Sequence, residues 1–199
     1  MKKFIFVVLI VAETLMMGIV YAQTVNEALS DNLLRLHVIA NSDEIEDQEI
    51  KLMVRDRIIK HINSEKLNSK KEVVYNLKNI EGDIKTHLTD TGVEYGCKVY
   101  YTKSEFPEKK YNNVSLPSGK YETIKVVLGD GCGKNWWCIA FPPLCFTESV
   151  KGDISKNGEE QLTKELNSDV YEIIKRNKSE YKIKFKTVEI FNKIKNMII

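Results

Sequence analysis

The chain has 199 residues, enough for one ordinary domain and its appendages. Apolar residues make up 43% and charged residues 29%, which supplies a core and excludes wholesale disorder; four prolines and ten glycines exclude collagen-like or low-complexity architecture. The 30 basic and 28 acidic residues leave a net charge of +2, without the basic excess of a nucleic-acid binder, and 26 of the cations are lysine where phosphate recognition favours arginine.

Lys2 and Lys3 precede an apolar run from Phe4 to Ala12, and Val20-Tyr21-Ala22 places small residues before Gln23. That pattern predicts a signal segment over residues 1–22, cleaved after Ala22, then a loose leader over 23–32 and one domain over 33–199. The competing reading is an uncleaved anchor from Phe4 to Ala22, against which Glu13 at its midpoint weighs about 2–3 kcal/mol. Under either reading the remaining chain lies outside the cytoplasm of the cell that makes it. It carries Cys97, Cys132, Cys138 and Cys145. An even count in an exported chain suggests disulfides, with three full pairings open, whereas the spacing lacks C-x-x-C and paired histidines and speaks against zinc.

Residues 33–40 alternate as a strand, with Leu34, Leu36 and Val38 on one face and Arg35 and His37 on the other. Asn41-Ser42-Asp43 suits a turn and a helix N-cap, and a helix is predicted from Ile45 to His61 on the spacing of Ile50, Val54, Ile58 and Ile62. Lys51 and Arg55 sit four apart on another face of it. Residues 69–89 form a second helix candidate, closed by Thr91-Gly92. Strands are predicted over Val93–Tyr101, Tyr121–Leu128 and Asn135–Phe141, with a tight turn at Leu116-Pro117-Ser118-Gly119 and a glycine-rich turn at 129–133. Residues 150–158 read as a polar loop, 159–176 as a helix, 182–186 as a strand and 188–198 as an amphipathic end. Strands in the middle with helices on both sides predict an α+β domain: a largely antiparallel central sheet with flanking helices.

The stretch from Trp136 to Phe146 holds both tryptophans, two prolines and two cysteines. Alternation sends Trp136, Cys138 and Ala140 to one face and Trp137, Ile139 and Phe141 to the other. Two such apolar faces ending in Pro142-Pro143 exceed what a small sheet ordinarily hides, so core packing and a partner contact are both open readings. A Cys138–Cys145 bridge would stiffen that corner, worth about 2–3 kcal/mol at most. Gly129–Lys134 lacks the order of a phosphate loop. His37, His61 and His87 are scattered, and Asp43 and Asp47 could pair as carboxylates, though helix capping explains them more simply. No nucleophile elbow is visible. Lys175–Ile199 carries eight basic and two acidic residues, which suits a solvated face or peripheral contact with an anionic membrane.

Two stretches together resemble the stage II sporulation protein R family of endospore-forming bacteria. One is Leu36-His37-Val38-Ile39-Ala40-Asn41-Ser42-Asp43, continuing through Asp47-Gln48, Lys51 and Val54-Arg55-Asp56. The other is Asn135-Trp136-Trp137-Cys138 through Phe141-Pro142-Pro143-Leu144-Cys145-Phe146. Leu116–Tyr121 and the closing Ile183-Lys184-Phe185 and Val188-Glu189 add to it. The resemblance implies a signalling protein without catalysis or cofactor, made in the forespore and exported into the space between forespore and mother-cell membranes. There it would trigger a membrane-embedded aspartic protease of the mother cell, which processes an inactive sigma-E precursor. The family pattern centres on a Cys138–Cys145 pair, so Cys97 and Cys132 are expected to bond to each other. Trp136, Trp137, Phe141, Pro142, Pro143, Leu144, Phe146, Asn41 and Asp43 are then the expected partner contacts or their scaffold. The rival from another class is a secreted cell-wall hydrolase using His37 or a carboxylate pair.

Overall fold

The computed structural model describes residues 2–111, 113–145, 154 and 156–175. The first helix, α1, runs unbroken over Lys2–Asn32. Its first 18 or so residues are apolar and unburied, whereas Val25, Leu29 and Ser30 are buried in the domain. The segment expected as a loose leader is therefore helical and packed, because Val25, Leu29 and Leu33 join one hydrophobic cluster. Lys70 ties down its end by donating to the Ser30 and Asp31 carbonyls.

Strand β1 is Leu34–Ile39, as its alternation predicts. Helix α2 covers Ile45–Ser64, extending the predicted span by one turn. The region read as one helix over 69–89 is two, α3 (Lys70–Tyr75) and α4 (Leu77–Asp90), parted at Asn76. Ser69 caps α3 by accepting from the Glu72 N–H at 3.2 Å. Gly92 then turns the chain with a φ of 78°, the left-handed conformation that glycine adopts without a Cβ penalty. Strand β2 begins later than predicted, at Cys97, and runs to Phe106. Short β3 (Lys109–Lys110) and β4 (Ser115–Leu116) pair with each other, and β5 (Gly119–Leu128) and β6 (Asn135–Phe141) follow. Helices α5 (Lys156–Glu165) and α6 (Ser168–Ile174) replace the single helix expected over 159–176. Residues 182–186, 188–198 and most of the basic stretch from Lys175 lie outside the described residues.

The main sheet has the order β2-β5-β1-β6. It is mostly antiparallel, with one parallel pair, β1 with β5, in the register Leu36↔Ile124 and Val38↔Val126. β5 and β6 are consecutive in sequence yet do not pair, since β1 lies between them. Each sheet face is covered. Leu34, Leu36, Val38, Ile124, Val126 and Cys138 pack against Val54, Ile58 and Ile62 of α2 and Ile80, Ile84 and Leu88 of α4. The opposite face carries Tyr121, Ile139 and Phe106 against Leu29 of α1, Leu116, Leu162 and Val170. The result is a three-layer α/β/α domain.

Because Leu29 is fully buried at the heart of the second cluster, Leu29→Ala should lower unfolding free energy by about 2–5 kcal/mol in a urea titration. An unchanged midpoint would show that residues 23–32 do not belong to the folded unit.

Candidate functional site

The connection from β5 to β6 must cross the end of β1. Residues 129–134 make that crossing, and they are locked to the Asn41-Ser42-Asp43 turn. The Cys132 N–H donates to the Asn41 carbonyl and the Gly133 N–H to the Ala40 carbonyl, both at 3.0 Å. The Asp130 N–H donates to Asn41 Oδ1 at 2.9 Å and the Lys134 N–H to Asp43 Oδ1 at 2.8 Å. The approach is close enough that a Cβ at Gly133 would sit 2.1 Å from the Ser42 carbonyl oxygen. A Cβ at Gly129 would sit 2.1 Å from Asn41 Oδ1. These glycines permit a close backbone crossing.

Asn41 and Asp43 were expected to cap α2, and they do not. No side chain caps that helix at Glu44; Ser42 Oγ accepts from the Glu44 N–H at 3.1 Å, while its two neighbours reach across to the glycine turn. Asp47, in the first turn of α2, fixes the arrangement from beneath. Its carboxylate accepts from Ser42 Oγ at 2.6 Å, Asn41 Nδ2 at 2.9 Å and Tyr95 OH at 2.5 Å. Those donors, Ser42 first and then Tyr95, hold its pKa below the ordinary carboxylate value. Gln48 Nε2 donates to the Ser42 carbonyl at 2.8 Å, and Lys51 Nζ donates to Gln48 Oε1 at 2.5 Å and the Lys134 carbonyl at 3.1 Å. Lys51 and Arg55, one helical turn apart, thus both serve β6, for the Arg55 guanidinium lies 4.4 Å above the Trp136 ring.

On the other face, Trp137 stacks on His37 with centroids 3.6 Å apart and meets Phe106 edge-on at 4.7 Å. His37 Nε2–H donates to Asn135 Oδ1 at 2.7 Å. Burial lowers the His37 pKa, so the ring is neutral at pH 7. Behind it Arg35 is fully buried, its Nε donating to the Cys138 carbonyl at 3.0 Å and its guanidinium packed 4.2 Å from the Phe106 ring and 4.9 Å from Tyr121. Burial lowers its pKa, and charge interaction with Tyr121 and then Tyr111 acts in the opposite direction.

The tryptophan hairpin divides in two. Trp136 and Trp137 are half-buried at the rim, and Pro143 is also partly exposed. Phe141, Pro142 and Leu144 are buried. Phe141 also leaves the face that alternation assigns it and joins the cluster of Cys138, because the register shifts between Leu34 and Arg35. Cys138 and Cys145 are bridged with Cα atoms 5.5 Å apart. Cys97 and Cys132 are both free thiols, contrary to the pairing expected for them. Cys97 is buried at the start of β2, whereas the crossing turn carries Cys132 away, over β1, to an exposed position. Phe146 lies outside the described residues.

Of the side chains proposed for hydrolysis, His37 lies on the opposite sheet face from Asp43 and Asp47. His37 faces the aromatic layer, while Asp47 is engaged by three donors beside the glycine turn and Asp43 holds the Lys134 N–H. Tyr95 and Arg35 escaped the sequence reading: Tyr95 precedes its strand, and nothing in the alternation of β1 shows that its second face is covered.

Asp47 contributes stability through a lowered pKa. That contribution is complete above the unfolded value of about 3.9 and is lost as pH falls through the folded value. Asp47→Asn should therefore flatten the acid limb of the stability profile below about pH 4, measured by urea unfolding from pH 2 to 7. A limb as steep as that of the unsubstituted protein would remove Asp47 from this role.

The family description "Stage II sporulation protein R" matches residues 30–151, a span that contains the whole site. The stage II sporulation protein R of Bacillus subtilis (strain 168) is 34% identical over 139 residues, covering 67% of this chain. The chain spans 62% of that relative's length. No solved structure matches.

Proposed function

The chain belongs to the stage II sporulation protein R family, and from that membership we propose that it is the exported signal of sporulation that triggers a membrane-embedded aspartic protease of the mother cell. On this reading it is made in the forespore, delivered into the intermembrane space, and induces that protease to process an inactive sigma-E precursor. It performs no chemistry of its own. The apolar first part of α1 suits the export step, with cleavage after Ala22 leaving Val25 and Leu29 to dock in the domain. The family name describes a role in sporulation and no reaction.

The observation that carries the receptor-contact half of this proposal is the Trp136–Trp137 pair. Large aromatic side chains at a rim, half-exposed and fixed from behind, are the usual anchors of a protein interface. Here Arg55 and Lys109 pack on Trp136, and His37 and Phe106 pack on Trp137, so little side-chain entropy remains to be lost on binding. The hairpin below them is fixed by its disulfide and by burial of Phe141, Pro142 and Leu144.

The test is reconstitution of the full chain with the candidate protease and its precursor in membranes, reading cleavage directly. The chain should induce processing, and Trp137→Ala should lose at least about tenfold of it, in keeping with an interface anchor worth more than 1.4 kcal/mol, while remaining folded by circular dichroism. No processing with the unsubstituted chain would refute the function. Full processing with Trp137→Ala would refute the anchor.

A further inference from the structure

Among the described strands β6 lies at one end of the main sheet, and the second half of its outer edge is closed. The Leu144 N–H returns to the Ile139 carbonyl at 3.3 Å from outside the sheet, and the Cys138–Cys145 bridge holds that return in place. Exposed and flat strand edges invite pairing with other chains, so this hairpin acts as a cap on the edge. Among the described residues no main-chain group pairs with the first half of that edge. The ladder to β1 is fixed by the Ala40 N–H donating to the Lys134 carbonyl and by the pairs Val38↔Trp136 and Leu36↔Cys138. Antiparallel alternation then turns the main-chain groups of Asn135 and Trp137 outward. Asn135 is exposed and Trp137 half-exposed.

The surroundings of this opening are cationic. Arg55 and Lys109 lie 4.4 and 5.9 Å from the Trp136 ring centroid. Lys134, next to the opening, has a side chain 73% exposed. Arg55 pairs with Asp56 at 2.8 Å and Lys134 with Asp43 at 4.0 Å, and Lys109 has no ion-pair partner among the described residues. A second copy paired about a two-fold axis would bring these like charges together, which disfavours it.

We propose that the open edge at Asn135–Trp137 is a strand-addition site that takes an extended, acidic segment of the partner protein, whose acidic side chains meet Lys109 and Lys134 and whose apolar side chains meet the two tryptophans. This rests on the reading of the chain as a protein ligand and adds the mode of contact. Main-chain pairing supplies affinity, and the tryptophans and lysines supply selection. The hairpin cap limits the pairing to a short window, which keeps copies of the chain from adding to one another.

The test uses the full chain and a synthetic probe, a heptapeptide alternating Asp or Glu with Val or Ile, and a counterpart with Lys in place of each acid. The acidic peptide should bind at least tenfold more tightly than the lysine peptide by fluorescence anisotropy. Asn135→Pro removes the outward N–H at the first strand position, where proline is tolerated, and Asn135→Ala removes the same side chain while keeping that N–H. Asn135→Pro should bind the acidic peptide at least tenfold more weakly than Asn135→Ala, with both folded by circular dichroism. Equal binding by those two variants, equal binding of the two peptides, or no binding at millimolar peptide would overturn the proposal. So would sedimentation showing a dimer that Asn135→Pro abolishes, since the occupant would then be a second copy. If either variant fails to fold, amide exchange on the unsubstituted chain decides: the acidic peptide should protect Asn135 and Trp137, and their unchanged exchange would overturn the proposal. The peptide measurements need no protease, so a failure of the proposed signalling and a failure of strand addition are read separately.

Discussion

Everything on the Trp136–Trp137 rim depends on one crossing, in which the chain leaves β5, passes over the end of β1 and enters β6. A direct β5–β6 hairpin would need none of the residues found there. Crossing another strand's end at van der Waals contact requires a backbone without Cβ atoms at Gly129 and Gly133. It also leaves the N–H groups of Asp130, Cys132, Gly133 and Lys134 facing the tip of β1 in need of acceptors. Asn41 supplies two acceptors, Ala40 one and Asp43 one. Each such hydrogen bond contributes about 0.5–1.5 kcal/mol net, and the four together tie the two turns to each other. Asp47 then holds the lower turn in place through Asn41 and Ser42, and Tyr95 brings the start of β2 to the same carboxylate.

From that crossing the path to the rim is short. Lys51 holds the last carbonyl before β6, Arg55 backs Trp136, and the pairing with β1 sets Trp137 on His37. Two aromatic anchors on opposite faces of one edge strand are thereby held by α2 on one side and by the Phe106 and Arg35 layer on the other. The disulfide hairpin completes the frame from the far end of β6.

Much of this is legible in the sequence, and the misses have physical causes. β1 and β5 alternate because one face of each meets the α2–α4 layer, so their positions follow from periodicity, whereas β6 is marked by its unbroken apolar run. Asn41-Ser42-Asp43 has the composition of a helix cap, and composition does not reveal that a remote turn supplies better donors than the local helix. Gly129–Gly133 reads as a turn, but a glycine turn between two strands looks the same whether it closes a hairpin or vaults a third strand. That difference misplaced Cys132 beside Cys97. Leu144 looks like exposed apolar surface only until the layer holding Val25 and Leu29 is counted, and Phe141 only until the bulge in β6 turns it into the α2–α4 cluster.

The most direct measurement of the central claim is residue-resolved amide hydrogen exchange of the full chain with Asn41→Ala, which removes the acceptor of Asp130 and one donor of Asp47. If the crossing sets the rim, the amides of Asp130, Cys132, Gly133 and Trp136 exchange faster by about tenfold or more as one local unit, while Val99 and Ile124 in β2 and β5 keep their protection. Acceleration confined to Asp130, with Trp136 as slow as in the unsubstituted chain, would contradict the account.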